Sequence, residues 1–174
     1  MKTRVSLRTA EKVAAELVQI LTSVCERIVV AGSIRRRRPE PSDIELLCIP
    51  RYVDGVDQLD REIRALLVQR VLAMRLNKRG SRTYGPKNKL MVHLPSGMAV
   101  DIFSSTEENW GMALFVRTGP KEWNIKAMSR LRELGMQGHA YGGISRSDSE
   151  LNCPDEETVF RYLGWSYVPP EERT

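Results

Sequence analysis

The sequence predicts an α+β fold: a small mixed sheet covered by helices, followed by a small C-terminal lobe of helices and a hairpin. Three observations predict it. Apolar residues recur at helical spacing across residues 7–22 and 56–75. Short β-branched or apolar runs stand at 27–31, 44–49, 89–94 and 98–103. The last third is punctuated by Gly119, Gly135, Gly138, Gly142, Gly143 and Gly164.

Each element follows from local chemistry. Val13, Ala14, Leu17, Ile20 and Leu21 form the apolar stripe of a first helix, from about Leu7 to Thr22, which Ser6 or Thr9 can cap. Arg27 to Ala31 reads as a buried strand ending at Gly32, and Ile44 to Ile49 as a second. Pro50 and Gly55 break the chain. Leu59, Ile63, Leu66, Leu67, Val71 and Leu72 then predict one long amphipathic helix over Val56 to Arg75. Two strands, Lys89 to Leu94 and Met98 to Phe103, are joined by a turn at Pro95-Ser96-Gly97. Glu107 to Phe115 suits a short helix. Another begins at Gly119-Pro120, where proline fits the first helical position, and runs to Leu134 before Gly135. A small hairpin is expected around Ile144. Asp155 caps a last helix, Glu156 to Leu163, with Glu156 and Glu157 on its positive end and Gly164 closing it. The expected units are residues 1–105 and residues 106–174, with the boundary near 105–118.

Composition narrows the function classes. The chain has 27 lysines and arginines against 22 acids, a net charge of +5, which favours a polyanionic partner bound through counterion release. Cys25, Cys48 and Cys153 are odd in number and lack CxxC spacing, so neither a disulfide framework nor a zinc site is implied. Cys25 and Cys48 read as buried thiols. His93 and His139 are the only histidines and read as surface or hairpin residues rather than a catalytic pair. No apolar run is long enough to cross a bilayer, and the charged N-terminus is no signal peptide. An intracellular location (cytoplasm, nucleoid or a viral replication site) and a monomer are expected.

The chemistry concentrates in three places. At Gly32-Ser33 a strand ends, a glycine permits close approach, and a serine offers its hydroxyl and backbone amides to phosphate. Arg36 can add a charge-assisted contact. Asp43 and Glu45 flank Ile44 at a strand start, so period two sends both carboxylates to one face. Side by side they repel, and a dication such as Mg²⁺ removes the conflict. Asp101 lies inside the apolar run 98–103, where a lone acid is costly unless paired or metal-bound. Beside Asp43 and Glu45 it would complete a cluster holding two Mg²⁺ ions, with Mn²⁺ as a substitute, for nucleotidyl transfer. Asp101 is also the candidate acceptor of the attacking hydroxyl's proton. Taken singly, each feature has a bland reading: a turn, a solvated strand edge, or an arginine-paired buried acid.

Together these residues resemble the family X DNA polymerases, the DNA polymerase beta group. Gly32-Ser33-Ile34-Arg35-Arg36 through Asp43-Ile44-Glu45 is similar to that family's Gly-Ser…Asp-x-Asp block, and Val100-Asp101-Ile102 to its third-carboxylate strand. Thr118-Gly119-Pro120-Lys121-Glu122-Trp123-Asn124 resembles its Thr-Gly-Ser block, and Val159 to Arg173 its C-terminal ending. The resemblance implies a nucleotidyltransferase palm, residues 1–105, and a nucleotide-selecting, thumb-like lobe, residues 106–174. It implies that Gly32, Ser33 and Arg36 hold the triphosphate, that Asp43, Glu45 and Asp101 ligate the ions, and that Gly119 and Asn124 approach the sugar and base of a dNTP. Five positions depart from the family: Glu45 for an aspartate, Val116 and Arg117 for an aromatic pair, Pro120 for a serine, and Met128 for an arginine. Relatives carry an N-terminal DNA-binding lobe, often with lyase activity; only one helix precedes the palm here, so a minimal palm-plus-thumb enzyme without that lyase is expected.

DNA grip is then expected from Lys78, Arg79, Arg82, Lys87 and Lys89, which stand in a stretch without acids. The leading expectation is a DNA-directed polymerase adding dNTPs to primer–template or gapped DNA, as in short-gap repair. The alternatives are the same chemistry on another acceptor (RNA, a small molecule or a protein), template-independent terminal transfer, and a non-catalytic DNA-binding module.

Overall fold

The computed structural model describes residues 3–174. Helix α1 (Leu7–Leu21) is capped by Ser6, whose hydroxyl accepts from the Thr9 amide at 3.2 Å. It buries Ala10, Val13, Ala14, Leu17 and Leu21, the stripe its spacing predicts, save Ile20, which is exposed. Strand β1 (Cys25–Val30) leads into the four-residue helix α2 (Gly32–Arg35) and then β2 (Asp43–Pro50). A small hairpin, β3 (Tyr52–Val53) with β4 (Val56–Asp57), precedes α3 (Gln58–Val68), β5 (Leu72–Met74), β6 (Asn88–His93) and β7 (Met98–Ser104).

The five long-range strands form one mixed sheet in the order β1-β2-β7-β6-β5, in which β2 and β7 run parallel and the other neighbours antiparallel. One face carries Ile44, Leu46, Cys48, Met91, Met98, Val100 and Ile102 into a core shared with α1 and α3. The fold is α+β, as the sequence predicts. Among the described residues, no helix is long and apolar enough to cross a membrane, and all three cysteines are free and buried. His93 is buried too, with Nδ1 2.7 Å from the Ser96 hydroxyl, rather than at the surface.

The long helix expected over Val56 to Arg75 is shorter. It ends at Val68; Gln69 caps it and Arg70 turns left-handed with φ of 58°. The chain then pairs as β5 against β6, Leu72 opposite His93. Apolar periodicity runs through the break because Val71 and Leu72 reach the same core that the α3 side chains fill.

The C-terminal part holds α4 (Trp110–Thr118), α5 (Lys121–Glu133), the three-stranded sheet of β8 (Gln137–His139), β9 (Gly142–Arg146) and β10 (Ser149–Leu151), and α6 (Glu156–Leu163). Its core gathers Met112, Phe115, Ala127, Leu131, Ile144, Val159, Phe160 and Leu163. Helix α4 belongs to two cores at once: Trp110, Ala113 and Leu114 pack on Leu47 and Phe103 of the large sheet. Gly111 lets α4 approach the chain entering α6, since a Cβ there would overlap the Asp155 carbonyl. Gly111→Ala is expected to cost about 2 kcal/mol by overpacking, read as a lowered urea midpoint with unchanged slope.

Candidate active site

Asp43 and Glu45 project from one face of β2, and register places Asp101 of β7 directly beside Glu45. Paired residues on neighbouring strands share a face, so all three carboxylates lie on the side opposite the apolar core. Their convergence has an electrostatic consequence. Glu45 is pushed up from 4.5 to about 7, first by burial and then by the charges of Asp43 and Asp101, against which Arg117 and Arg36 act only in part.

The glycine-serine turn closes over this face. Gly32 has φ of +63°, and a Cβ there would overlap the Glu45 carboxylate, so the backbone lies against that acid. The adjoining polar atoms are incompletely used. Ser33 Oγ and Arg36 Nε are buried and, among the described residues, have no hydrogen-bond partner. Arg36 Nη1 donates to the Thr118 carbonyl, and Gly119 follows with φ of +65°, its missing Cβ leaving room for Arg36 Nη1. Asn124, on α5, donates from Nδ2 to the Val116 carbonyl at 2.8 Å, while its Oδ1 is buried with no partner among the described residues. The structure thus brings Gly32, Ser33, Arg36 and Gly119 together beside the acids.

Arginines missed in the sequence complete the site. Arg75, just past β5, donates Nη2 to Asp101 Oδ1. Arg117 lies 3.8 Å from the Phe103 ring centroid and 4.7 Å from that of Tyr141, and donates to the Ala140 carbonyl at 3.1 Å. Arg35 bridges the halves of the chain, donating to Thr118 Oγ1 at 2.6 Å and to Glu156 Oε2 at 2.7 Å. The other Glu156 oxygen accepts from Arg173 at 2.7 Å. Arg173 is fully buried near the rings of Phe115, Phe160 and Tyr167, and its carbonyl accepts from Arg38 at 3.0 Å. Glu156 is therefore a buried ion-pair centre as well as a first-turn acid. No sequence signal names these partners, because a long arginine stem reaches across elements.

Among the described residues, no three His, Cys, Asp or Glu side chains form a ready-made metal group. Asp101 is turned to Arg75, and Glu45 lies against Gly32. The donor set nevertheless suits a hard dication: it is all oxygen, and Asp43 and Asp101 lie close enough to Glu45 for their charges to add to the effect of burial on its carboxyl.

Of the cationic stretch, Lys78, Arg79, Arg82 and Lys87 are exposed between β5 and β6. Lys89 does not join them. It points to the core side of β6, where its ammonium donates to the Gly85 carbonyl at 2.9 Å, stands 3.6 Å from Asp60, and lies over the Tyr84 ring. A cavity of about 920 Å³, bordered by Tyr52, Lys87, Ser105, His139 and Tyr141, lies past the ends of β2 and β7 and includes none of the three acids.

Comparison with known proteins bears on the fold and on the C-terminal part. The family described as DNA polymerase beta thumb matches residues 113–174. The chain is 25% identical over 169 residues to the DNA polymerase/3'-5' exonuclease PolX of Bacillus subtilis (strain 168), an alignment that covers 97% of this chain and 27% of that protein. The chain thus spans about a quarter of that curated relative's length. Its fold is similar to a crystal structure of Leishmania infantum polymerase beta in a ternary P/T complex, with a TM-score of 0.81 at 18% identity, over 99% of this chain and 77% of that one.

Proposed function

We propose that the chain is a family X DNA polymerase-like protein, a reading that its similarities support, and from that premise that it is a DNA-directed DNA polymerase filling short gaps. The observation that carries this reading is an anion site beside a cation site. Among the described residues, buried Ser33 Oγ and Arg36 Nε lack partners, and next to them Glu45 is raised to about 7, first by burial and then by the charges of Asp43 and Asp101. A nucleoside triphosphate with its dications satisfies both. Residues 1–105 are proposed as the catalytic palm and 106–174 as the lobe that closes on the nascent base pair.

In this mechanism Ser33 and Arg36 hold the triphosphate, and Gly119 leaves room for the sugar. Asn124, held by its Nδ2 bond to the Val116 carbonyl, offers Oδ1 to the incoming nucleotide's base edge. Asp43, Glu45 and Asp101 would hold Mg²⁺ or Mn²⁺, which supplies charge stabilisation and a more acidic attacking hydroxyl. The primer 3'-oxygen forms a bond to the α-phosphorus as the bond to the bridging oxygen breaks, and pyrophosphate leaves. The hydroxyl proton passes to Asp101. Lys78, Arg79, Arg82 and Lys87 supply the electrostatic grip on the DNA backbone.

The test is gap filling with dNTPs and NTPs in parallel, with and without a template base, in Mg²⁺ and in Mn²⁺. Templated dNTP incorporation is expected. Folded protein that extends no primer under either metal sinks the proposal, and labelled-nucleotide transfer in the absence of DNA replaces it with another acceptor.

A further inference from the structure

The order of the sheet gives each substrate a side. Ser33 and Arg36 belong to the turn after β1, at one edge; Asp43 and Glu45 stand on β2 and Asp101 on β7; Arg75 follows β5, at the other edge. Strands lie about 4.8 Å apart, so two intervals, on the order of 10 Å, separate β7 from β5, and an extended arginine together with the aspartate side chain spans them. A triphosphate over Ser33 and Arg36 leaves the β6–β5 side for the acceptor.

Arg75 is the innermost cation on that side. Its amide donates to the Leu90 carbonyl at 2.9 Å, and Leu90 is the register partner of Asp101. Backbone pairing therefore fixes Arg75 on the carboxylate face. Nη2 engages Asp101, while Nε is buried with no partner among the described residues. Outward along the same hairpin come the exposed cations Lys78, Arg79 and Arg82. Together they make a cationic track that ends on a catalytic carboxylate.

We propose that Arg75 gates Asp101: it holds the carboxylate in an ion pair until the phosphodiester next to the acceptor's terminal hydroxyl takes the guanidinium, which frees Asp101 for the metal. This rests on the polymerase reading and deepens it, because it requires an acceptor that carries a phosphate. The physical ground is twofold. A guanidinium against Asp101 both occupies a metal ligand and repels a dication at short range. Its planar fork, with a second donor edge in reserve, suits a phosphate oxygen pair. Acceptor and metal must then bind cooperatively, each favouring the other by the same factor. Arg75 is thus a positioning residue acting through Asp101.

The test measures Mn²⁺ affinity, without any dNTP, for the wild-type chain, Arg75→Met and Arg75→Lys. Each is titrated with and without gapped DNA ending in a 2',3'-dideoxynucleotide, and Mn²⁺ bound by DNA alone is subtracted. For the wild type, DNA is expected to tighten Mn²⁺ binding about tenfold, within the usual range of coupling between two ligands. Arg75→Met is expected to bind Mn²⁺ about tenfold tighter without DNA and to gain little from adding it. Arg75→Lys, which keeps the charge but not the fork, should retain part of the coupling. Wild-type Mn²⁺ affinity that ignores DNA overturns the gate, and so does a folded Arg75→Met that binds Mn²⁺ no better. Wild-type primer extension is scored separately. Extension without coupling removes the gate and leaves the polymerase standing, whereas neither extension nor DNA binding removes both.

Discussion

Glu45→Gln is expected to stabilise the metal-free protein by up to about 3 kcal/mol at pH 8 while cutting nucleotide transfer by roughly 10³-fold. The stability gain follows from the Glu45 carboxyl, which burial and the neighbouring Asp43 and Asp101 push up from 4.5 to about 7. At 1.36 kcal/mol per pH unit that rise corresponds to roughly 3 kcal/mol. The sign is set by linkage. Between 4.5 and 7 the folded chain holds a proton that the unfolded chain has released, so folding is favoured in acid and loses that advantage as pH rises. Above about 7 the wild type carries the full penalty of a buried anion among like charges, and the amide carries none. Unfolding of both proteins in EDTA across pH 4–8 checks this. The two stabilities should converge near pH 4.5 and separate up to pH 7, and parallel curves would refute the prediction. The loss of transfer has the same origin: the amide removes the charge that a dication needs. Mn²⁺ should therefore stabilise the wild type far more than Glu45→Gln.

Glu156→Ala is expected to cost about 3–5 kcal/mol, because it strands a fully buried guanidinium. Glu156 is itself 3% exposed, and Arg173 is 0% exposed. Burial pushes the Glu156 carboxyl up, but the hydrogen bonds and charges of Arg35 and Arg173 outweigh it and hold the group below 4.5. The stabilisation is therefore present above pH 4.5 and lost as pH falls through the lowered value. For a chain of this size the melting temperature should drop by about 10 °C at pH 7, and the gap to wild type should narrow in strong acid. A loss under 1 kcal/mol would mean that Arg173 finds another partner. The network also joins the Gly32-to-Arg38 segment to Thr118 and α6, so the variant tests what holds the two halves together.

Much of the fold was legible because it rests on local rules. Ser6, Asp155 and Gly164 cap the helices that their chemistry announces, and alternation through Ile44 puts Asp43 and Glu45 on one face. The failures are equally physical. β5 hid inside a helical pattern because Leu72 is buried under either conformation; the left-handed Arg70 and the pairing to β6 decided it. Lys89 read as a surface cation, yet its place between Asn88 and Leu90 turns it inward to Asp60 and the Tyr84 ring.

By itself the sequence determined the α+β class, the position of each acid on its strand, and the glycine turn beside them. Each of these depends on a residue and its near neighbours in the chain. Only the tertiary structure decided the partners: Arg75 on Asp101, Arg117 between Phe103 and Tyr141, and Arg35 and Arg173 on Glu156. A charge in a sequence states a need for a counter-charge but not its address. That address is set by strand order and helix packing, which bring residues 26, 121 and 17 positions apart into contact.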